Sequence, residues 1–309
     1  MAAQRFGPVT DRPAGYRDQV ASDVAVHTAN PDTVAVAVAL LQAGPVAVLT
    51  GAGMSTDSGI PDYRSPGRPP HRPMTHSEFC SGSQARQRYW ARSHLGWRLI
   101  AGAAPNAGHR ALAGLERAGR IGTVITQNVD GLHAAAGSRR VIDLHGRIDE
   151  VVCLACGQVT ARVELAERMA RANPGFGAGL ALGIRPDGDV ELNDTSSFRV
   201  PECRRCTGTL KPRVVFFGDS VAKPLVATCF SLVDEAGSLL VVGSSLTVMS
   251  GLRFVRHAAR RGIPVVIVNR GPTRGDDLAT VKLDTGCSET LAALGDLLGP
   301  VGPGPVRLG

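Results

Sequence analysis

Lysine is almost missing from this 309-residue chain: Lys211, Lys223 and Lys282 are its only three, so arginine carries most of the positive charge behind the net +7. The arginines are scattered and form no run or face. The basic balance therefore reflects an Arg-, Ala- and Gly-rich composition, as a GC-rich coding bias produces, and does not point to nucleic acid. An unbroken apolar stretch of membrane-spanning length is missing too. The segment 33–55 has no charge, but Gly44-Pro45 breaks it and Gln42 precedes the break. A secretory leader would follow a basic start promptly with an apolar run, whereas Asp11, Asp18 and Asp23 intervene. The same acids argue against a mitochondrial transit peptide. Seven cysteines, an odd number with no leader, imply a reducing compartment, and a cytoplasmic location is expected. No internal repeat is visible.

What is present is ordinary globular material, 43% hydrophobic and 20% charged, long enough for one large domain and a smaller one. Residues 1–30 show little periodicity and read as an N-terminal arm, and 301–309 as a tail. Between them, short apolar runs at 46–50, 123–126, 141–144, 214–217, 239–242 and 265–268 alternate with helical spacing at 33–43, 107–118, 223–236, 248–261 and 288–298. Continuous apolar runs separated by helices predict an α/β, doubly wound (Rossmann-like) parallel sheet covered on both faces, with ligands at the carboxyl ends of its strands. That domain is assigned to 31–152 and 210–300. Two stretches break the alternation. One, about 64–105, is rich in Pro, Arg, His and Ser and contains Arg88-Tyr89-Trp90 and Trp97. The other, 153–209, carries cysteines around a Gly-rich, acidic middle. Both read as insertions building a smaller domain.

Cys153-x-x-Cys156 and Cys203-x-x-Cys206 each offer two thiolates at a spacing that one metal ion can share, beside turn residues Gly157 and Thr207-Gly208. Four sulfurs close a tetrahedron and leave no place for water, so a structural zinc is expected. The 46 intervening residues exceed the usual ribbon loop and require a helix, placed at 163–172, and a long loop. The competing reading is a pair of redox disulfides. Cys80, Cys229 and Cys287 are isolated, and each reads as an inert buried residue.

Thr50-Gly51-Ala52-Gly53-Met54-Ser55 follows the first strand directly, where glycines let backbone approach a pyrophosphate. It is not GxGxxG, and no ribose-binding acid follows ~20 residues on. By itself it reads nearly as well as a tight turn. Its continuation, Gly59-Ile60-Pro61-Asp62-Tyr63-Arg64, supplies turn residues, an acid, an aromatic and a base, as a loop folding over a ligand needs.

Together these segments resemble the cofactor loop of sirtuins, the NAD-dependent protein deacylases. Further signatures of that family match in order: Thr126-Gln127-Asn128-Val129-Asp130-Gly131-Leu132-His133, Leu144-His145-Gly146, both cysteine pairs, Lys211-Pro212-x-Val214-Val215-Phe216-Phe217-Gly218, Gly243-Ser244-Ser245-Leu246 and Val268-Asn269. The resemblance covers about 33–298. Segments 86–92, 186–190 and 271–279 are similar to the class II branch. It implies NAD and zinc as cofactors and acyl-lysine proteins as substrates, with no membrane partner. The acyl group passes to ADP-ribose with release of nicotinamide, a leaving group already activated by its positive charge, so no acid is needed to protonate it.

The resemblance further implies His145 as the general base, a role suited to an ordinary imidazole pKa of ~6.5. Asp130 would hold the nicotinamide carboxamide and Asn128 position ribose or water, with Gln127 at the same strand end; His133 reads as structural. Gly51, Ala52, Gly53, Ser55, Asp62, Tyr63 and Arg64 would line the cofactor. Gly243, Ser244 and Ser245 would meet phosphate or ribose, Asn269, with Arg270 and Gly271, the adenosine ribose, and Cys287 the adenine through its backbone. Val214, Val215, Phe216, Phe217 and Gly218 would pair with an extended substrate peptide. The chain departs from the pattern at Asp219, where many relatives carry glutamate. The paired Tyr and Arg that read dicarboxylic acyl groups in class III relatives are not found in 64–105. An alternative chemistry at the same NAD site is protein mono-ADP-ribosyl transfer. A reading of another class is a zinc-ribbon binding protein that only senses NAD.

Overall fold

The computed structural model describes residues 30–63, 72–178, 190, 192 and 194–299. The expected arm (save Asn30), Arg64, the tail and most of 186–190 lie outside these residues.

Helix α1 (Pro31–Gln42) starts where Pro31 sets φ and the Asn30 side chain accepts from the Asp32 amide. It feeds β1 (Val46–Thr50), buried at every position. A 3-10 turn (Ala52–Ser58) follows, then α2 (His76–Cys80) and α3 (Ser83–Ala101). Next come α4 (Ala107–Arg117), β2 (Ile121–Thr126), the short α5 (Leu132–Ala135) and β3 (Val141–Asp143). Strand β4 (Gly146–Cys153), β5 (Val159–Ala161), α6 (Arg162–Ala172) and β6 (Leu210–Val214) make up the small unit. The chain closes with α7 (Lys223–Asp234), β7 (Ser238–Val242), α8 (Met249–Arg260), β8 (Val265–Val268), β9 (Val281–Leu283) and α9 (Cys287–Leu298).

Six strands form a parallel sheet in the order β3-β2-β1-β7-β8-β9. The order reverses at the β1–β7 pair, so a crevice opens between the loops leaving Thr50 and Val242. One face packs on α1, α4 and α9 through Leu41, Leu112, Leu291 and Leu294. The other packs on α7 and α8 through Val233, Leu252, Phe254 and Val255. With each face covered, continuous apolar strands follow.

One strand expectation is corrected. The 214–217 run does not join the parallel sheet; Leu210–Val214 is a strand of a separate antiparallel sheet, β5-β4-β6. Its place at the parallel edge goes to Val281-Lys282-Leu283, too short and too interrupted by lysine to signal itself. The small unit's core joins α2 and α3 to that sheet: Phe79, Tyr89 and Trp90 pack with Val151, Leu165, Met169, Phe198 and Phe216. Phe79 stacks on Phe216 at 5.3 Å, and Tyr89 meets both edge-on. Arg162, fully buried, lies over Trp90 at 5.0 Å and Trp97 at 5.3 Å and donates to the Ser93 carbonyl.

Candidate active site and metal centre

The glycines at the crevice are there for turn-to-turn packing. Gly51 N donates to Val242 O at 3.1 Å and Gly53 N to Gly243 O at 2.8 Å. A Cβ on Gly51 would come within 2.8 Å of the Ser244 Cβ, and one on Gly243 (φ +61) would strike the Met54 backbone nitrogen. The loops after β1 and β7 thus interlock backbone to backbone. Cys287 sits behind this lock, buried, its thiol pushed up to about 12 chiefly by burial. It does not line the cavity; Cys229 is buried as expected, whereas Cys80, at the end of the short α2, is exposed.

That cavity measures about 980 Å³ and runs across the carboxyl ends of the parallel strands. It brings together, from separate loops, Gly51, Ala52, Gly53, Ser55, Asp62 and Tyr63; Gln127, Asn128 and Asp130; His145; Gly243, Ser244 and Ser245; and Asn269, Arg270 and Gly271. Val214 through Gly218 forms one wall. The cavity also includes Tyr89 and Arg274 from the class II-like segments, and residues that the motifs did not single out: Ile100, Met249, Ser250 and Arg253.

Three polar side chains are locked in sequence. Asn128 Nδ2 donates to Ser55 Oγ at 3.0 Å, and Ser55 Oγ donates to Asp130 Oδ2 at 2.7 Å. The Leu132 amide donates to the other Asp130 oxygen at 2.9 Å. Asp130 is thereby fixed as an acceptor. Beneath them, Thr50 Oγ1 donates to Thr126 Oγ1 at 2.8 Å, so at the 2.9 Å contact with His133 it can only accept. His133 therefore carries its hydrogen on Nε2, and burial lowers its pKa to about 3. It is structural in this sense: it props the strand ends.

His145 follows β3. Its Nδ1 lies 2.8 Å from the Gln127 carbonyl and must donate. Burial lowers its pKa, the Gln127 bond opposes that, and Arg253 adds to it. The ring is thus neutral near pH 7, with Nε2 its proton-accepting atom. Gln127 ties this geometry to β7, because Ser244 Oγ donates to its side-chain oxygen at 2.8 Å. At the far end Asn269 Nδ2 donates to Arg270 O at 2.9 Å and Gly271 O at 3.2 Å, folding its own loop. The Val214–Gly218 wall is held from both sides: Val215 N donates to His145 O at 2.8 Å, and Phe217 O accepts from His76 N at 3.0 Å.

In the small unit the four sulfurs of Cys153, Cys156, Cys203 and Cys206 lie within 4.8 Å of one another. Cys153 faces Cys206 at 3.5 Å and Cys156 faces Cys203 at 3.8 Å. A tetrahedron of zinc–sulfur bonds of ~2.3 Å needs sulfurs about 3.8 Å apart, so this donor set fits a zinc ion. All four are free thiols, and their convergence on one point is the arrangement of a single shared ion and not of two separate disulfides. Gly208 is required here, because a Cβ would press on Cys153 Sγ at 2.9 Å and Cys206 Sγ at 3.1 Å. The Cys156 backbone amide is the main cause that pulls the Cys153 thiol down to about 6.

The fold and site define a class: a doubly wound nucleotide-binding protein whose crevice is completed by a four-cysteine small unit. The description "Sir2 family" matches residues 51–250. The chain belongs to the sirtuin (Sir2) family. It is 59% identical over 268 residues to "NAD-dependent protein deacetylase 1" of Mycobacterium avium, covering 85% of this chain and 95% of that protein. It is 51% identical over 251 residues to the bovine "NAD-dependent protein lipoamidase sirtuin-4, mitochondrial", covering 79% of each. Relatives of that kind place it on the class II-like side of the family. A solved structure described as "Sir2-p53 peptide-NAD+" superposes with a TM-score of 0.66 at 32% identity, covering 82% of this chain and 92% of that one. No helix among the described residues is long and apolar enough to cross a membrane.

Proposed function

We propose that this chain is an NAD-dependent protein-lysine deacylase that releases nicotinamide and O-acyl-ADP-ribose, with His145 as general base. The observation that carries the reading is the oriented His145 ring, with Nδ1 committed to Gln127 so that Nε2 is the basic atom, in one cavity with the Asn128–Ser55–Asp130 chain. The cavity is large enough for a dinucleotide and an acyl chain together. Bound NAD supplies an activated glycosidic carbon.

The protein's residues do the rest. Asp130, held by Ser55 and the Leu132 amide, accepts from a carboxamide. Asn128 positions a hydroxyl or water. The interlocked Gly51–Gly53 and Gly243 turns, with Ser244 and Ser245, hold phosphate, and Asn269, Arg270 and Gly271 hold the distal ribose. Asp62 and Tyr63 close over the cofactor. His145 takes a proton at Nε2 from a sugar hydroxyl. The remaining backbone groups of 214–218 align the acyl-lysine peptide, and the four cysteines hold zinc. The Rossmann-like domain (31–152 and 210–300) carries the cavity, and the zinc unit (153–209) braces its wall at Ile148 and Val214 through the paired strands β4 and β6. Nothing in this site calls for a membrane or a nucleic acid, and the unbonded cysteines suit a cytoplasmic setting.

The test is a panel of acyl-lysine peptides incubated with NAD and read by mass spectrometry. Acyl-ADP-ribose and nicotinamide should appear together, and His145→Ala should cost at least ~100-fold in turnover, within the range of a lost general base. ADP-ribose left on protein without deacylation would instead mark a transferase. Full nicotinamide release by His145→Ala would remove His145 as base.

A further inference from the structure

His145 has a second partner that no motif announces. Its Nε2 lies 2.8 Å from the hydroxyl oxygen of Ser250, 105 residues on. The Gln127 carbonyl can only accept, so Nδ1 carries the hydrogen and neutral Nε2 is a lone pair. The direction of the second bond follows: Ser250 Oγ donates into the atom that is to receive the proton. Ser250 is free to do so. It is the second residue of α8, whose start at Val248 has no side-chain cap, and it is buried at 8% exposure on the cavity wall. From geometry and chemistry together, we infer that Ser250 is a positioning residue for the base: its hydroxyl holds neutral Nε2 in the free protein, yields that lone pair to the sugar hydroxyl that gives up its proton, and then turns to share the new N–H as an acceptor. This role rests on His145 being the base.

The need for such a partner lies in the surroundings. The ring faces the amino-terminal end of α8, which carries partial positive charge, and Arg253, one turn further along, is the charged group that acts on it. Both oppose an imidazolium. A hydroxyl reverses its role by rotating about one bond, so it serves both states without moving heavy atoms. The bond to the charged ring is charge-assisted and the stronger of the two. Ser250 therefore favours the protonated ring over the neutral one, offsetting part of the penalty from the helix end and Arg253. A methyl group at this place would leave that penalty unopposed.

The experiment is a pH titration of the 15N-labelled imidazoles in the full chain without NAD, followed by steady-state kinetics. In the wild type, His145 should show Nδ1–H and an unprotonated Nε2. Ser250→Ala should lower the His145 pKa and reduce kcat roughly tenfold at little change in KM for NAD, with the tautomer set by Gln127 retained. Ser250→Thr, which keeps the hydroxyl, should restore both. An unchanged His145 pKa in Ser250→Ala overturns the inference whatever the activity. Turnover surviving in His145→Ala overturns the base assignment instead, so the two failures are told apart.

Discussion

At the scale of single residues, three histidines besides His145 are held where a charge is costly. Burial is the main cause in each case, lowering the pKa of His94 and His109 to about 4 and of His133 to about 3. In the unfolded chain each titrates near 6.5. Above that value all are neutral in both states and their contribution to folding is complete. As pH falls below it, only the unfolded chain binds the protons, so stability declines by up to about 1.4 kcal/mol per pH unit for each. The urea midpoint should therefore drop between pH 7 and pH 5. His133→Gln should flatten that dependence, even if it lowers the midpoint at pH 7. An identical slope in wild type and variant would mean that His133 is protonated inside the fold.

Elements make a different demand, on where a side chain can exist at all. Gly146, the first residue of β4 and at φ +76, would drive a Cβ into the Arg213 carbonyl oxygen. Gly271, at φ +78, has nothing within 4 Å of a Cβ. Gly271→Ala should cost about 1 kcal/mol, the backbone strain alone. Gly146→Ala adds displacement of β6 and should cost about 3 kcal/mol or more. Denaturant titration of the two variants isolates the steric share, and equal losses would refute it. Helices of this chain were legible because caps and periodicity are local: 107–118 and 223–236 read from sequence lie within two residues of Ala107–Arg117 and Lys223–Asp234. Strands were legible where buried on both faces. Val281–Leu283 was not, since three residues at an edge leave no pattern, and 214–217 looked like a buried strand because its apolar side chains line a cavity wall. Ser250 could not be read at all: a serine at the start of a helix is ordinary, and its partner is set by the tertiary fold.

Across the whole molecule, the parallel sheet and the four-cysteine unit stabilise themselves differently. The sheet has two apolar faces and twelve-residue helices on both sides. The small unit has one three-stranded sheet, and its four converged thiolates would repel one another without a cation. Stripping zinc with a chelator should therefore melt the small unit and abolish turnover while much of the parallel sheet persists. Full activity in metal-free protein would contradict this. The separation of the two units also has an optical consequence. Of the chain's two tryptophans, Trp90 is wholly buried in the small unit's core, while Trp97 touches Arg162 on one side and packs with Ile60, Ile100 and Leu132 on the other. Indole emission is accordingly a native gauge of that unit and of its seam with the larger domain: it should shift to the red as metal leaves, while far-ultraviolet circular dichroism, dominated by the larger layer, changes far less.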